Sequence, residues 1–121
     1  MNKVVLVGRL VNDNKLNKSG LDLLYLRNTI AIKRDIKNKN GEYETDFIDF
    51  VCFRSDAEFL HNFTHKGDII GVEGRLQNNT YERNGEKIKR LEVMAEKVRI
   101  VSSTPKQEKQ EFEVSDDLLP F

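Results

Sequence analysis

Short apolar runs separated by polar turns follow one another along the chain, which predicts a protein built mainly of β-strands. Residues 3–11 are almost continuously apolar and β-branched. We therefore expect a first strand covered on both faces, by the protein interior on one side and by a second subunit on the other. Residues 13–20 are rich in turn-forming residues and predict a loop. Residues 21–34 then alternate between apolar and polar positions, which predicts a long strand that buries one face.

The third predicted strand, residues 45–54, carries apolar side chains on both faces, so one set must point away from the core. The smoother apolar set is the better core face, and it consists of Ile48, Phe50 and Cys52. Phe47 and Phe53 share their parity with Asp49 and are expected on the outer face. The alternative is that both rings pack into the core.

A short helix is predicted after this strand. Ser55 and Glu58 have the spacing of a capping box, in which each side chain binds a backbone N–H of the first turn. Phe59 and Phe63 follow four residues apart and would share one helical face. Lys66 and Gly67 suit the C-terminal end, because a cation and a glycine are favoured there. The helix should close one end of the sheet.

Two further strands and two hairpins complete the pattern. Residues 68–77 alternate, and residues 88–101 form a fifth strand. Its inward-facing positions are expected to be Leu91, Val93 and Ala95. Asn-Gly pairs mark the turns of hairpin loops at residues 35–44 and 78–87. Five strands with one helix between the third and the fourth give an all-β fold with the layout of an OB-fold barrel.

The length of 121 residues suits one domain and a short appendage. No apolar run approaches the roughly 20 residues that a membrane span needs. The N-terminus lacks the apolar core of a signal peptide, so we expect a cytoplasmic protein without membrane association. Cys52 is the single cysteine, and its place in an apolar strand indicates a buried thiol.

The charge of the chain is unevenly distributed. The net charge is zero, but residues 102–121 contain five acidic and two basic residues, which leaves a charge of +3 on residues 1–101. We therefore expect an OB-fold domain at residues 1–101, a disordered linker at 102–114 and an acidic tip at 115–121. An exposed tip of two acids followed by apolar residues suits a protein pocket that is apolar inside and rimmed by cations. The tip residues are Asp116, Asp117, Leu118, Leu119, Pro120 and Phe121.

Five segments of the chain are informative together, namely NKVVLVGRL (2–10), NGEYETDFIDFVCFR (40–54), KGDIIGVEGRLQ (66–77), NTYE (79–82) and the terminal SDDLLPF. In their order and spacing they resemble the bacterial and phage-type single-stranded DNA-binding proteins. The resemblance implies an OB-fold, usually a homotetramer, that coats single-stranded DNA without sequence preference. It also implies that the acidic tip recruits proteins of DNA replication, recombination and repair.

The resemblance also implies which residues contact DNA. The aromatic stacking positions of the family fall on Phe47, Phe53 and Tyr81. A further position that is often aromatic in the family is Ile36 here, which would weaken that contact. Along the path of the DNA strand we place Arg9, Lys33, Arg34, Arg54, Arg75, Arg83 and Lys87.

The sequence does not favour an enzyme. The acidic residues Asp46, Asp49 and Asp56 form no shared metal site by their spacing, and no catalytic or cofactor motif is present. His61 and His65 have a metal-like spacing but no third ligand near them in sequence, so no metal or cofactor is expected. The main alternative to DNA coating is an OB-fold adaptor that binds RNA or a replication protein.

Overall fold

The alternating segments form strands in the computed structural model, which describes residues 1–103. Within this range the strands are β1 (Val4–Leu10), β2 (Asn17–Lys18), β3 (Leu24–Lys37), β4 (Tyr43–Phe53), β5 (Ile69–Arg83) and β6 (Glu86–Ser102), and helix α1 spans Arg54–Phe63. The two-residue β2 lies inside the predicted loop and pairs with β3. The five long strands match the five that the sequence predicts.

The strands form one sheet in the order β1-β5-β6-β4-β3-β2, and an additional β1–β3 pairing closes it into a barrel. β4 and β6 run parallel, whereas the other pairs are antiparallel. Helix α1 connects β4 to β5. A closed mixed barrel with one helix in this position confirms the predicted OB-fold layout.

The core lies inside the barrel, under α1. Leu26 and Ile30 of β3 are fully buried, as the alternation predicts. Phe50 and Cys52 of β4 are fully buried too, which confirms the choice of core face on that strand. Leu60 of α1 is also fully buried and belongs to the same cluster. The helix therefore covers one part of the barrel interior, as expected.

The start of α1 differs from the prediction. Phe53 occupies the N-cap position in an extended conformation, and it makes no side-chain cap hydrogen bond. The helix begins at Arg54, directly after β4, so Ser55 lies inside the first turn and the predicted capping box is wrong. At the other end the backbone N–H of Thr64 donates to the carbonyl of Leu60 at 3.1 Å.

The prediction that Leu91 faces the core is also wrong, since 59% of this residue is exposed. Val93, two residues later, is fully buried. β6 pairs with β4 at Val93, whereas residues 86–91 pair only with β5. The β5–β6 hairpin thus projects beyond the barrel as two strands, and the inward-pointing position at Leu91 has no core to enter.

The outer face of β1 is apolar and exposed in the single chain. Val5 is 66% exposed and Val7 is 38% exposed. Together with Val101 they line a shallow groove that also contains Lys97 and Arg99. Coverage of this face by a second subunit stays a prediction.

Gly74 allows β5 and β6 to approach closely at a bulge between Glu73 and Gly74. A Cβ atom at this position would collide with the backbone carbonyl of Met94. Bulges of this kind bend a strand and help a small sheet to close.

Candidate nucleic-acid interface

The outer face of β3 and β4 carries the two phenylalanines that sequence parity directs away from the core. Phe47 is 64% exposed, and Phe53 is partly buried. In the antiparallel register Ala31 lies opposite Phe47 and Tyr25 lies opposite Phe53. Between these pairs, Arg27 lies opposite Val51. Side chains that lie opposite one another in a sheet share a face, so both rings flank Arg27 on one surface.

Arg27 connects this surface to the projecting hairpin. Its guanidinium carbon lies 4.5 Å from the ring centroid of Tyr81 and 5.7 Å from that of Tyr25. The same guanidinium donates to the hydroxyl of Tyr81. We call the surface formed by Phe47, Phe53, Tyr25, Arg27 and Tyr81 the aromatic face.

A buried carboxylate lies beneath the aromatic face. Glu92 is 1% exposed, and its Oε1 accepts a hydrogen bond from the hydroxyl of Tyr81 at 2.5 Å. The same oxygen accepts from the side-chain amide of Asn79 and lies 3.4 Å from the guanidinium of Arg27. Burial raises the pKa of the Tyr81 phenol, and the hydrogen bond to Glu92 and the charge of Glu92 add to the effect.

Several predicted cations share the aromatic face. Lys33 lies opposite Thr45, and its ammonium lies 5.2 Å from the ring of Tyr43. Arg9 pairs with Ala31 and therefore lies near Phe47, and it donates to the carbonyl of Gly67 at 3.2 Å. These two cations therefore lie on neighbouring strands, Arg9 on β1 and Lys33 on β3.

The hairpin strands carry two more of the predicted cations on this side. Arg83 is exposed and shares its strand parity with Tyr81. Arg75 is exposed at the base of the hairpin, where it lies 3.3 Å from Glu96 and 3.4 Å from the side-chain oxygen of Gln77. An ion pair on the surface leaves such a guanidinium free to exchange partners, because exposed pairs stabilise weakly.

Two predicted cations point elsewhere. Arg34 follows Lys33 in β3 and so lies on the opposite side of the strand, where it forms a fork with Asp46 at 2.8 Å and Glu44 at 2.7 Å. This fork holds the pKa of the Asp46 carboxyl below its usual range. Lys87 lies opposite Glu82 in the hairpin, on the side away from Tyr81.

Arg54 lies at the start of α1 rather than on the aromatic face. Its backbone φ is 55°, in the left-handed region, and its side chain is exposed. It borders a groove that contains Leu21, Leu24 and Glu58. Ile36, the aliphatic residue at the position that the resemblance gives as often aromatic, is 82% exposed.

Sequence reasoning missed four residues that the structure brings to this site, namely Tyr25, Arg27, Asn79 and Glu92. Tyr25 and Arg27 belong to the polar, partly aromatic side of β3 that the alternation separates from the core. The strand register that places this side beside Phe53 is a tertiary feature. Glu92 follows the apolar Leu91 and precedes the core residue Val93, so nothing in the local pattern singles it out.

The predicted linker is described only at residues 102 and 103, and Ser102 still belongs to β6. The predictions for residues 104–121, which include the acidic tip, lie outside the described residues. Within residues 1–103, no cluster of three or more metal-ligating side chains is found. No helix in this described part is long and apolar enough to cross a membrane.

Comparison with known proteins gives consistent matches. The profile of the single-strand binding protein family matches residues 1–101. A single-stranded DNA-binding protein 3 of Listeria innocua is 42% identical over 104 residues, which cover 85% of this chain and 65% of that protein. A single-stranded DNA-binding protein of Lactiplantibacillus plantarum is 38% identical, with 90% of this chain and 55% of that protein covered. A single-stranded DNA-binding protein 3 of Streptococcus agalactiae is 34% identical over 100% of this chain and 99% of its own length. The chain therefore spans less than two thirds of the length of some of these relatives and nearly all of another.

Proposed function

The chain belongs to the single-strand binding protein family, and on that premise we propose that it binds single-stranded DNA through the aromatic face, independently of sequence. The observation that supports this most directly is the grouping of Phe47, Phe53 and Tyr81 on one outer surface around Arg27. Every unpaired base has a π-face, so exposed rings bind any sequence by stacking. The family is one of DNA-binding proteins without a catalytic reaction, in agreement with the expectation that the chain is not an enzyme.

The structure favours stacking over charge as the main source of affinity. Residues 1–101 carry only +3 overall, and Arg34 is already held by two carboxylates. Each stacked base contributes roughly 1–3 kcal/mol, so three rings can exceed the weak attraction of such a body for a polyanion. Lys33, Arg9 and Arg83 then add phosphate contacts that fix the path of the strand.

A binding competition tests this proposal. Fluorescence anisotropy should show that the protein binds labelled oligo-dT. Unlabelled single-stranded DNA of mixed sequence should displace the labelled oligonucleotide, whereas duplex DNA should not. The logarithm of the binding constant should fall with the logarithm of salt concentration by about 0.7 for each phosphate contact. Failure to bind oligo-dT at low salt would overturn the proposal. Displacement by RNA at far lower concentration than by DNA would favour the adaptor function instead.

We further propose that the protein assembles as a homotetramer in which the outer face of β1 forms one interface. Val5, Val7 and Val101 present an apolar strip, and Glu73 lies beside the cations Lys97 and Arg99. A two-fold interface places the same strip on both subunits, so opposite charges at its edges can pair. Light scattering with and without an oligonucleotide measures the oligomer, and Val7→Asp should lower the measured mass. A Val7→Asp protein of unchanged mass would exclude this face as an interface.

The acidic tip is proposed to recruit replication, recombination and repair proteins. In the absence of DNA, its negative charge is proposed to compete with DNA for the cations of residues 1–101. A flexible segment of the linker's length spans on the order of 20 Å, enough to reach the basic surface. Removal of residues 115–121 should raise the affinity for oligo-dT at low salt and have no effect at high salt, because salt screens the competing charges. Equal affinities at low salt would refute the competition.

A further inference from the structure

We propose that Glu92 is a positioning residue, which holds Tyr81 and Arg27 in the arrangement that receives the DNA strand. This inference rests on the proposed function, because it assigns a role within the same aromatic face. Glu92 is only 1% exposed, so it acts through its neighbours rather than by touching DNA.

The contacts of Glu92 converge on a single oxygen. Its Oε1 accepts from the Tyr81 hydroxyl at 2.5 Å and from the Asn79 amide, and it lies 3.4 Å from the Arg27 guanidinium. The other oxygen, Oε2, is buried without a hydrogen-bond partner among the described residues. A carboxylate accepts several hydrogen bonds at once, so this one side chain of β6 fixes Arg27 of β3 and two side chains of β5, Asn79 and Tyr81.

The negative charge of Glu92 is unfavourable for DNA binding, the function proposed for its neighbours Tyr81 and Arg27. A carboxylate under a DNA-binding surface repels phosphates, and burying it with an unpartnered oxygen costs free energy. A neutral side chain at this position would avoid both costs. The benefit that can offset them is geometric, since the carboxylate orients the ring of Tyr81 and the guanidinium of Arg27 before DNA arrives.

The arrangement that Glu92 supports groups one guanidinium with two aromatic rings. The guanidinium carbon of Arg27 lies 5.7 Å from the ring centroid of Tyr25 and 4.5 Å from that of Tyr81. The Arg27 side chain is 38% exposed, so this group remains accessible from outside. Without Glu92, Tyr81 and Arg27 would sample several rotamers, and DNA binding would have to order them.

A substitution that removes the charge of Glu92 distinguishes positioning from simple electrostatics, because the two predict opposite changes in DNA affinity. Glu92→Ala removes a negative charge, so electrostatics alone predicts tighter binding of oligo-dT. Positioning predicts the opposite, a loss of about tenfold, comparable to weakening one stacked base. Glu92→Gln keeps an acceptor oxygen for Tyr81 and Asn79 and should restore affinity to within about threefold of the wild type. The matched control is Glu82→Ala, which removes an equal charge from an exposed site opposite Lys87 and should not weaken binding.

The experiment measures oligo-dT anisotropy for the full chain and its variants, and circular dichroism checks folding. If the Glu92→Ala variant binds oligo-dT as tightly as the wild type or more tightly, the positioning role is overturned. The proposed function is unaffected by that result. If Glu92→Ala does not fold, Tyr81→Phe decides, because it removes only the hydroxyl that Glu92 holds and retains the ring. A loss of affinity in Tyr81→Phe supports positioning, and unchanged affinity overturns it. A wild-type protein that does not bind oligo-dT would instead overturn the proposed function itself.

Discussion

Replacement of Phe47 by alanine should weaken DNA binding strongly while changing stability little. Phe47 is 64% exposed on the aromatic face, so the folded chain buries only about a third of its surface. Truncation of a fully buried Phe costs about 3–5 kcal/mol, and a third of that is on the order of 1 kcal/mol of folding stability. One lost stacking contact costs roughly 1–3 kcal/mol of binding free energy, which corresponds to about a 5-fold to 150-fold lower affinity.

Phe63 provides a matched control for this substitution. It is the same residue type, it is 61% exposed, and it lies at the end of α1 rather than on the aromatic face. Its ring contacts only Phe59 among the described aromatic rings, at a centroid distance of 5.5 Å. Phe63→Ala should therefore cost similar stability and leave affinity unchanged.

The assay combines oligo-dT anisotropy at several salt concentrations with urea denaturation. Since Phe47 carries no charge, Phe47→Ala should lower the affinity at every salt concentration without changing the salt slope. Two results would refute the reasoning. One is wild-type affinity in Phe47→Ala, and the other is an equal loss of affinity in Phe63→Ala.

Three further predictions follow from the same contacts. Lys33→Gln should reduce the salt slope of DNA binding by about 0.7, whereas Arg34→Gln should leave it nearly unchanged because two carboxylates already hold that guanidinium; equal slopes for both variants would contradict this. Gly74→Ala should lower the urea-derived free energy of unfolding by about 1–3 kcal/mol, because the new Cβ meets the backbone carbonyl of Met94, and a variant as stable as the wild type would disprove the close approach. Burial raises the pKa of the Cys52 thiol to about 12, so a thiol reagent at neutral pH should react with it only when denaturant is added, and rapid reaction in native buffer would show that the barrel opens.

The sequence by itself determined the strands and the direction of most side chains along them. Alternation has a period of two, and it directly separates the core residues Phe50 and Cys52 from the outward Phe47. That separation depends only on the local geometry of an extended chain, so it can be read without knowing the partner strands. The alternation failed at Leu91, because burial also requires a neighbouring layer, and the hairpin extends beyond the barrel at that point.

Only the tertiary structure decided how the outer faces of different strands combine into one surface. Arg27 and Glu92 are 65 residues apart in the chain, yet β3 and the β5–β6 hairpin bring them into contact around Tyr81. Their meeting depends on strand register and barrel closure, which arise from packing between distant segments. The pairing of Arg34 with Glu44 and Asp46 depends on the same register. Periodicity states which way a side chain points, but the fold determines what it meets there.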